Sequence, residues 1–358
     1  MSRVPEGRTA TDGASTTFLA NCLVQSYGIG ARDFAFLGGE WDRNYRLTAE
    51  SGETYLVKVH FPVRDIDELQ WQEAILVHLE GRDTGVAVPR IVRTVDDALH
   101  VTFSDGDARG LLRVLDWVTG TELSRVGEHS TALLRDIGAT AAAISSALVG
   151  FTSPTLHQTH HWDLARSGDV IRETLDAHPA LAAEFGADLV LGRLAEMEPT
   201  FATLPRALVH QDLNDNNVLV KTSEGRQHVS GVLDFNDALY GMRVAEPAIA
   251  GAYAMLRKDD PLSALAHVVA GHHSVTKLAE AEIGVVFALA TARLCVQVLT
   301  WTVRARTHPS AYGAMRMRHT APTLDRLLRI EPAHATVRLL EACAAADSPG
   351  LDFGGEPR

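Results

Sequence analysis

The sequence predicts an α+β fold of two lobes: a small, mostly antiparallel sheet with one helix, then a larger helical lobe. Three observations predict it. At 358 residues the chain exceeds the size at which a single hydrophobic core usually stops growing. Between residues 16 and 115 short β-type runs dominate ("RDFAFLGG", "WDRNYRLTA", "ETYLVKVHF", "ALHVTFS", "GLLRVLDWV"), divided by turn signals such as "ESGE" and "SDGD". After "VTGTEL" the chain turns to long alanine- and leucine-rich helical stretches, over 130–149, 180–198, 245–257, 262–303 and 323–346.

The elements follow in order. Residues 1–15 are polar and expected to fray. Residues 16–115 form the sheet lobe, interrupted by the helical segment "DIDELQWQEAILVHLEG" that Gly81 ends. Residues 116–120 link it to the helical lobe, 121–345. Within that lobe "LVHQDLNDNNVLV" and "HVSGVLDF" are the strand-like pieces, and the tail 346–358 reads as disordered.

Composition removes several classes of function. The net charge is −12 with no offsetting Lys/Arg cluster, so a nucleic-acid partner is not expected. The longest apolar tract, "IGVVFALATARLCVQVL" (283–299), carries Arg293 and Gln297 and reads as a buried helix rather than a bilayer span. The N-terminus lacks a hydrophobic signal core. Cys22, Cys295 and Cys343 stand far apart, which fits neither a disulfide framework nor a zinc site. A reducing compartment, the cytoplasm, is the expectation.

Only four of the 33 basic residues are lysines, so each invites a reason. Lys58 lies between valines in "TYLVKVH", where a strand alternates Val57 and Val59 against Leu56 and Lys58. Left alone it could be an edge lysine whose head reaches water. The next helix changes that reading. At about 100° per residue, Ile66, Leu69, Leu76 and Val77 make one stripe, and Glu73 falls inside it. A buried carboxylate needs a partner, and Lys58 is the candidate. A strand lysine locked to a helix glutamate can hold an ammonium against α- and β-phosphates. Just upstream, Gly38 and Gly39 would let backbone amides approach a phosphate, although an ordinary hairpin turn explains them as well. Nothing reads GxxxxGK[ST].

The polar centre of "VHQDLNDNNVLV" carries the most chemistry. Asp212 and Asn217 stand five apart in a loop between strand-like pieces, and Asp234 follows another apolar run in "GVLDFNDALYG". Phosphoryl transfer needs a carboxylate to accept or orient the acceptor hydroxyl, and oxygen ligands for magnesium between the phosphates. Asp212 suits the first task; Asn217 and Asp234 suit the second. A turn rich in Asx residues explains the asparagines but not the second acidic cluster.

These residues resemble a family. "HQDLNDNN" followed by "LDFNDALYG" is similar to the aminoglycoside phosphotransferase and choline kinase-like group, with the pattern HxDxxxxN and then D[FW]xD. "YLVKV", the Glu73 helix and "RVLDWVTG" stand in the family's order. "WDRNYRL", "HHWDL" and "VAEPAIAGAY" look most similar to its hydroxylysine kinase-like branch. The resemblance implies a protein-kinase-like two-lobed fold. It implies Asp212 as catalytic base, Asn217 and Asp234 as magnesium ligands, and Lys58 with Glu73 as phosphate clamp. It further implies that the backbone of Leu115, Asp116, Trp117 and Val118 forms a purine hinge and that His210 is structural in the catalytic loop. Asn236 stands where protein kinases carry glycine, which weakens a protein-kinase reading.

Other residues are weaker candidates. His157, His160 and His161 cluster, but no Cys or Glu completes a metal set. Trp162 and Asp163 begin a helix or edge the acceptor pocket. Asp237 could bind a substrate amine or cap the next helix, and Glu246 before Pro247 reads as a helix-start carboxylate.

The expected function is transfer of the γ-phosphoryl of ATP or GTP, through Mg2+, to the hydroxyl of a small, amine-bearing acceptor such as hydroxylysine, an amino alcohol or an aminoglycoside. An antibiotic acceptor, including a non-aminoglycoside natural product phosphorylated for self-resistance, would make this a resistance enzyme. A nucleotide-binding pseudokinase scaffold is the reading from another class. It would need none of Lys58, Glu73, Asp212, Asn217 and Asp234.

Overall fold

The computed structural model describes residues 16–39, 42–63, 65–105, 108–153 and 159–347. Residues 1–15, all but 346 and 347 of the expected tail, and His157 lie outside the described residues. The chain divides into two compact units. One runs to Glu80 and resumes over Pro89–Val118; the other holds Gly81–Val88 and the chain from Thr119 on.

The first unit opens with a helix that the β-type composition hid, α1 (Thr16–Tyr27), whose Leu19, Leu23 and Tyr27 are buried. Strands β1 (Ala31–Gly38), β2 (Arg43–Ala49) and β3 (Thr54–His60) follow, then α2 (Ile66–Leu79). Asp65 caps α2 by accepting the N–H groups of Asp67 and Glu68, as a helix start requires. β4 (Ile91–Val92), β5 (Val101–Asp105) and β6 (Ala108–Asp116) complete a six-stranded antiparallel sheet in the order β1-β2-β3-β6-β4, with β5 also on β6. Val57 and Val59 of β3 join Leu47, Leu112, Val114, Leu19 and Leu23 in the core of this unit.

The second unit is mostly helical. It begins with the two-residue strand β7 (Thr121–Glu122), then α3 (Thr131–Ala147), capped by Ser130, and α4 (Ser167–Ala177). The stretch expected as one helix over 180–198 is two, α5 (Ala180–Phe185) and α6 (Ala187–Phe201), parted at left-handed Gly186. Strands β8 (Arg206–Val209), β9 (Val218–Ser223), β10 (Arg226–Val232) and β11 (Leu239–Met242) come next. They form two small antiparallel sheets, β10-β9-β7 and β11-β8. Helix α7 (Ala245–Ala254) leads to α8 (Pro261–Val275) and α9 (Glu280–Thr307), so the run read as one helix over 262–303 is broken at 276–279. α10 (Ala311–Leu328) and α11 (Pro332–Asp347) likewise replace one expected helix.

Helices α3 and α8 meet backbone to backbone. A Cβ on Gly138 would lie 1.8 Å from the Val268 carbonyl oxygen, and one on Gly271 would lie 1.9 Å from that of Arg135. Only glycine fits at either place. α9 is long and apolar enough to cross a membrane, but 94% of its most apolar window is buried within the fold. Its Val286, Leu289, Leu294 and Leu299 pack with α7, α8 and α11 in the large core. A core helix so apolar makes its one arginine in the middle, Arg293, conspicuous.

Candidate active site

The loop of the second unit that carries the HxDxxxxN pattern, residues 210–217, joins β8 to β9. His210 is fully buried and anchors it: Nε2 donates to the Leu233 carbonyl at 3.0 Å, and Nδ1 accepts from the Asp212 N–H at 3.2 Å. Its ring lies 4.5 Å from that of Phe235. Burial holds its pKa below the ordinary histidine value, chiefly through desolvation, so it acts as a neutral strut.

Asp212 is held from three sides. Its Oδ2 accepts from the side-chain amides of Asn214 and Asn217, each at 2.8 Å. Its Oδ1 accepts from Arg293 Nη2 at 2.7 Å. Asn217 also donates to the Asp212 carbonyl at 3.0 Å. With its amide nitrogen so committed, Asn217 has its Oδ1 left as a donor for a cation. The register of β9 and β10 pairs Val218 with Val232, and the Leu233 N–H donates to the Asn217 carbonyl at 2.8 Å. Asn217 and Asp234 therefore stand at the paired ends of neighbouring strands. Gln211 (φ 68°) and Asp234 (φ 60°) are both left-handed, a conformation that costs roughly 1–2 kcal/mol and gathers at functional sites.

The donor set fits a hard divalent ion. An amide oxygen and a carboxylate are ligands that magnesium accepts. Among the described residues no group of three His, Cys, Asp or Glu side chains could hold an ion alone. The remaining ligands would thus be phosphate oxygens and water.

Arg293 is the residue that sequence reasoning missed. Its side chain is 3% exposed, and every nitrogen is engaged: Nη2 with Asp212, Nη1 with the Trp162 carbonyl at 2.7 Å, Nε with the Tyr253 hydroxyl at 3.3 Å. The guanidinium also sits 5.0 Å from the Trp162 ring centroid and 5.8 Å from that of Tyr253. The signal was present in the tract 283–299, since a charge inside an apolar helix needs a partner.

Two other carboxylates brace the loop. Buried Asp215 pairs with Arg257 at 3.1 Å and with Arg316. Glu246, completely buried at the start of α7, accepts the Gln211 N–H at 3.0 Å through Oε1. Desolvation pushes its carboxyl up to about 7. It therefore braces the 210–217 loop rather than only starting a helix.

The acceptor candidates take mixed roles. Asp163 is buried and committed, its Oδ1 accepting from the Ala165 N–H at 3.0 Å and from Gln211 Nε2 at 3.3 Å. The structure thus gives it a capping task. Trp162 carries Arg293. The Asp237 carbonyl accepts from His160 Nε2 at 2.9 Å, and its half-buried carboxylate adds to the field on Arg293. His161 is bonded to Thr300 Oγ1 at 2.8 Å, so His160 and His161 have separate partners.

In the first unit the ion pairing departs from expectation. Lys58 on β3 is 6% exposed and pairs with Asp42 Oδ2 at 3.0 Å. Glu73 of α2 is equally buried but bonds His100 Nδ1 at 2.8 Å. Asp42 comes from the β1–β2 turn, where Gly39 (φ 145°) passes so close that a Cβ would lie 2.0 Å from the Asp42 carbonyl oxygen. Gly38 (φ 95°) ends β1 opposite Asn44. The turn needs its glycines to bring Asp42 to Lys58. Burial raises the Asp42 carboxyl, but Lys58 and then His60 hold it net below the ordinary value. His60 is itself pushed down to about 3 by desolvation and by Arg113. At the end of β6, Leu115 pairs with Ile91 and Leu56, and the Asp116 N–H donates to the Arg90 carbonyl at 2.9 Å. The Arg46 guanidinium sits over Trp117, 5.1 Å from the indole ring centroid, and Val118 is the last residue of the unit.

An antiparallel-sheet unit with a buried strand lysine, together with a helical unit whose HxDxxxxN loop precedes a left-handed aspartate, defines a kinase-type phosphotransferase with an alcohol as acceptor. Residues 33–282 match the family described as the phosphotransferase enzyme family, and the chain belongs to it. Hydroxylysine kinase of Xenopus laevis is 33% identical over 295 residues, covering 76% of this chain and 78% of that protein. Two solved structures share the fold. One is amicoumacin kinase in complex with AMP-PNP, Ca2+ and Ami, with TM-score 0.64 and 17% identity, covering 89% of this chain and 96% of that one. The other is a microcompartment-associated aminopropanol kinase, with TM-score 0.57 and 18% identity, covering 93% and 97%. The chain is a small-molecule phosphotransferase using a nucleotide donor.

Proposed function

We propose that this enzyme transfers the γ-phosphoryl group of ATP or GTP to the hydroxyl of a small amino alcohol, hydroxylysine or a close analogue. One observation carries the proposal: the Asp212 carboxylate is fixed from both oxygens yet 19% exposed, so a hydroxyl can reach it. Little covalent chemistry falls to the protein, and catalysis is orientation and charge stabilisation. Asp212 accepts the hydroxyl hydrogen bond and aims the oxygen at phosphorus. Asn217 and Asp234 would hold magnesium, which neutralises charge between the phosphates when bound. Lys58 would take α- and β-phosphate oxygens, and backbone groups of 115–118 the purine. Asp237 is the candidate for the acceptor's ammonium.

The hydroxylysine kinase relative supports an amine-bearing acceptor. The structural neighbours named for amicoumacin and aminopropanol define the alternatives to test. Nucleotide consumption is to be measured with ATP and with GTP against hydroxylysine, aminopropanol, aminoglycosides and other antibiotics, with Asp212→Ala alongside. The expected result is turnover that depends on an amino alcohol and vanishes in the variant. Turnover confined to an antibiotic would move the enzyme to resistance, and nucleotide binding without turnover on any acceptor would indicate a scaffold.

A further inference from the structure

We infer that the acceptor hydroxyl is received by Oδ1 of Asp212, and that Arg293, which holds that same oxygen, is a positioning residue for the reaction. The inference rests on the phosphotransferase reading and deepens it. A carboxylate offers about four acceptor positions, two on each oxygen. Both on Oδ2 are filled, by Asn214 and Asn217 at 2.8 Å. Among the described residues Oδ1 receives Arg293 alone, at 2.7 Å. The hydroxyl therefore has Oδ1 as its place.

Arg293 does not contact the acceptor itself. Its side chain is 3% exposed against 19% for Asp212, and its other nitrogens are held by the Trp162 carbonyl and the Tyr253 hydroxyl. Two rings and two hydrogen bonds fix the guanidinium, which is anchored on the long core helix α9. Through Nη2 that rigidity reaches the carboxylate, fixing its plane and so the direction of the open position on Oδ1. A charge-assisted bond of this kind is shorter and stronger than a neutral one. In the transfer the acceptor oxygen forms a bond to Pγ and the bond from Pγ to the bridging oxygen breaks. The nucleoside diphosphate departs and the hydroxyl proton passes to Oδ1, then to water.

The test is steady-state kinetics of Arg293→Met, Arg293→Lys and Arg293→Ala with folding checked by circular dichroism. Met fills the volume, Lys keeps the charge without the fork, and Ala leaves space for added guanidinium. The expected result is a kcat reduced roughly 100-fold in the Met and Ala variants and at least about tenfold in the Lys variant. The nucleotide KM stays within about twofold, since the loss falls on the reacting hydroxyl. Guanidinium at tens of millimolar, on the order of 50 mM, should restore the Ala variant but not Asp212→Asn. A folded Met or Lys variant with wild-type kcat overturns the inference, as does a folded Ala variant that guanidinium leaves unchanged. Failure of the wild-type enzyme to turn over any acceptor sinks the phosphotransferase reading instead, and this inference with it.

Discussion

Lys58 grips Asp42 at 3.0 Å, with both side chains at most a tenth exposed. An ion pair this secluded means that any phosphate reaching the lysine competes with a carboxylate already in place. Asp42→Asn removes that competitor. The nucleotide KM should fall by about fivefold, equivalent to roughly 1 kcal/mol. Glu73→Gln should change it less, because Glu73 is bonded to His100. Inhibition by a non-hydrolysable nucleotide measures both variants, and the reverse ranking would mean that Lys58 works with Glu73 after all.

The buried Asp215 joins its loop to Arg257, just past the end of α7, and to Arg316 within α10. Removing one partner strands a charge in a poorly solvated place. Asp215→Leu should cost about 3–5 kcal/mol, while Asp215→Leu with Arg257→Met and Arg316→Met should recover most of it. Urea denaturation reads both. A single variant within about 1 kcal/mol of wild type would show that the cluster is well hydrated.

Glu246 should leave a mark on stability against pH. Its folded carboxyl titrates near 7, above the unfolded value, so the protonated form is favoured on folding. Its contribution is complete below the unfolded pKa and is lost as pH rises through the folded one. The loss between about pH 4.5 and 7 is on the order of 3 kcal/mol. Glu246→Gln should flatten the curve in that window. Parallel curves for wild type and variant would refute the assignment.

The proposal that Asn217 and Asp234 hold magnesium predicts a simple titration. Asp234→Asn and Asn217→Ala should each raise the metal concentration for half-maximal rate at least about tenfold, and a chelator should abolish turnover reversibly. A metal-response curve unchanged in both variants would remove these residues from the metal site.

What the sequence disclosed was local. Asp212 and Asn217 share one loop, and Asp234 lies just past the end of the adjoining strand, so short spacing made all three legible. Lys58 was also legible, as a charge between valines. Its partner was not, because Asp42 reaches it through a hairpin whose glycines carry left-handed backbone, and Glu73 was the buried acid the helix pattern displayed. Arg293 lay hidden for a different reason: 81 residues separate it from Asp212. Only the folding of α9 against the loop brings the two into contact. Helix α1 escaped because its threonines and valine favour strands, and its burial beneath the sheet overrides that preference.

The most direct measurement is 31P NMR of the products formed from ATP or GTP and hydroxylysine or an amino alcohol, run with wild-type enzyme and with Asp212→Asn. The account predicts a new phosphate monoester on the acceptor hydroxyl in the first and a rate lower by roughly 10²–10³-fold in the second, with nucleotide affinity intact. An ester formed at wild-type rate by the variant, or nucleotide bound by both proteins with no ester from any acceptor, would contradict it.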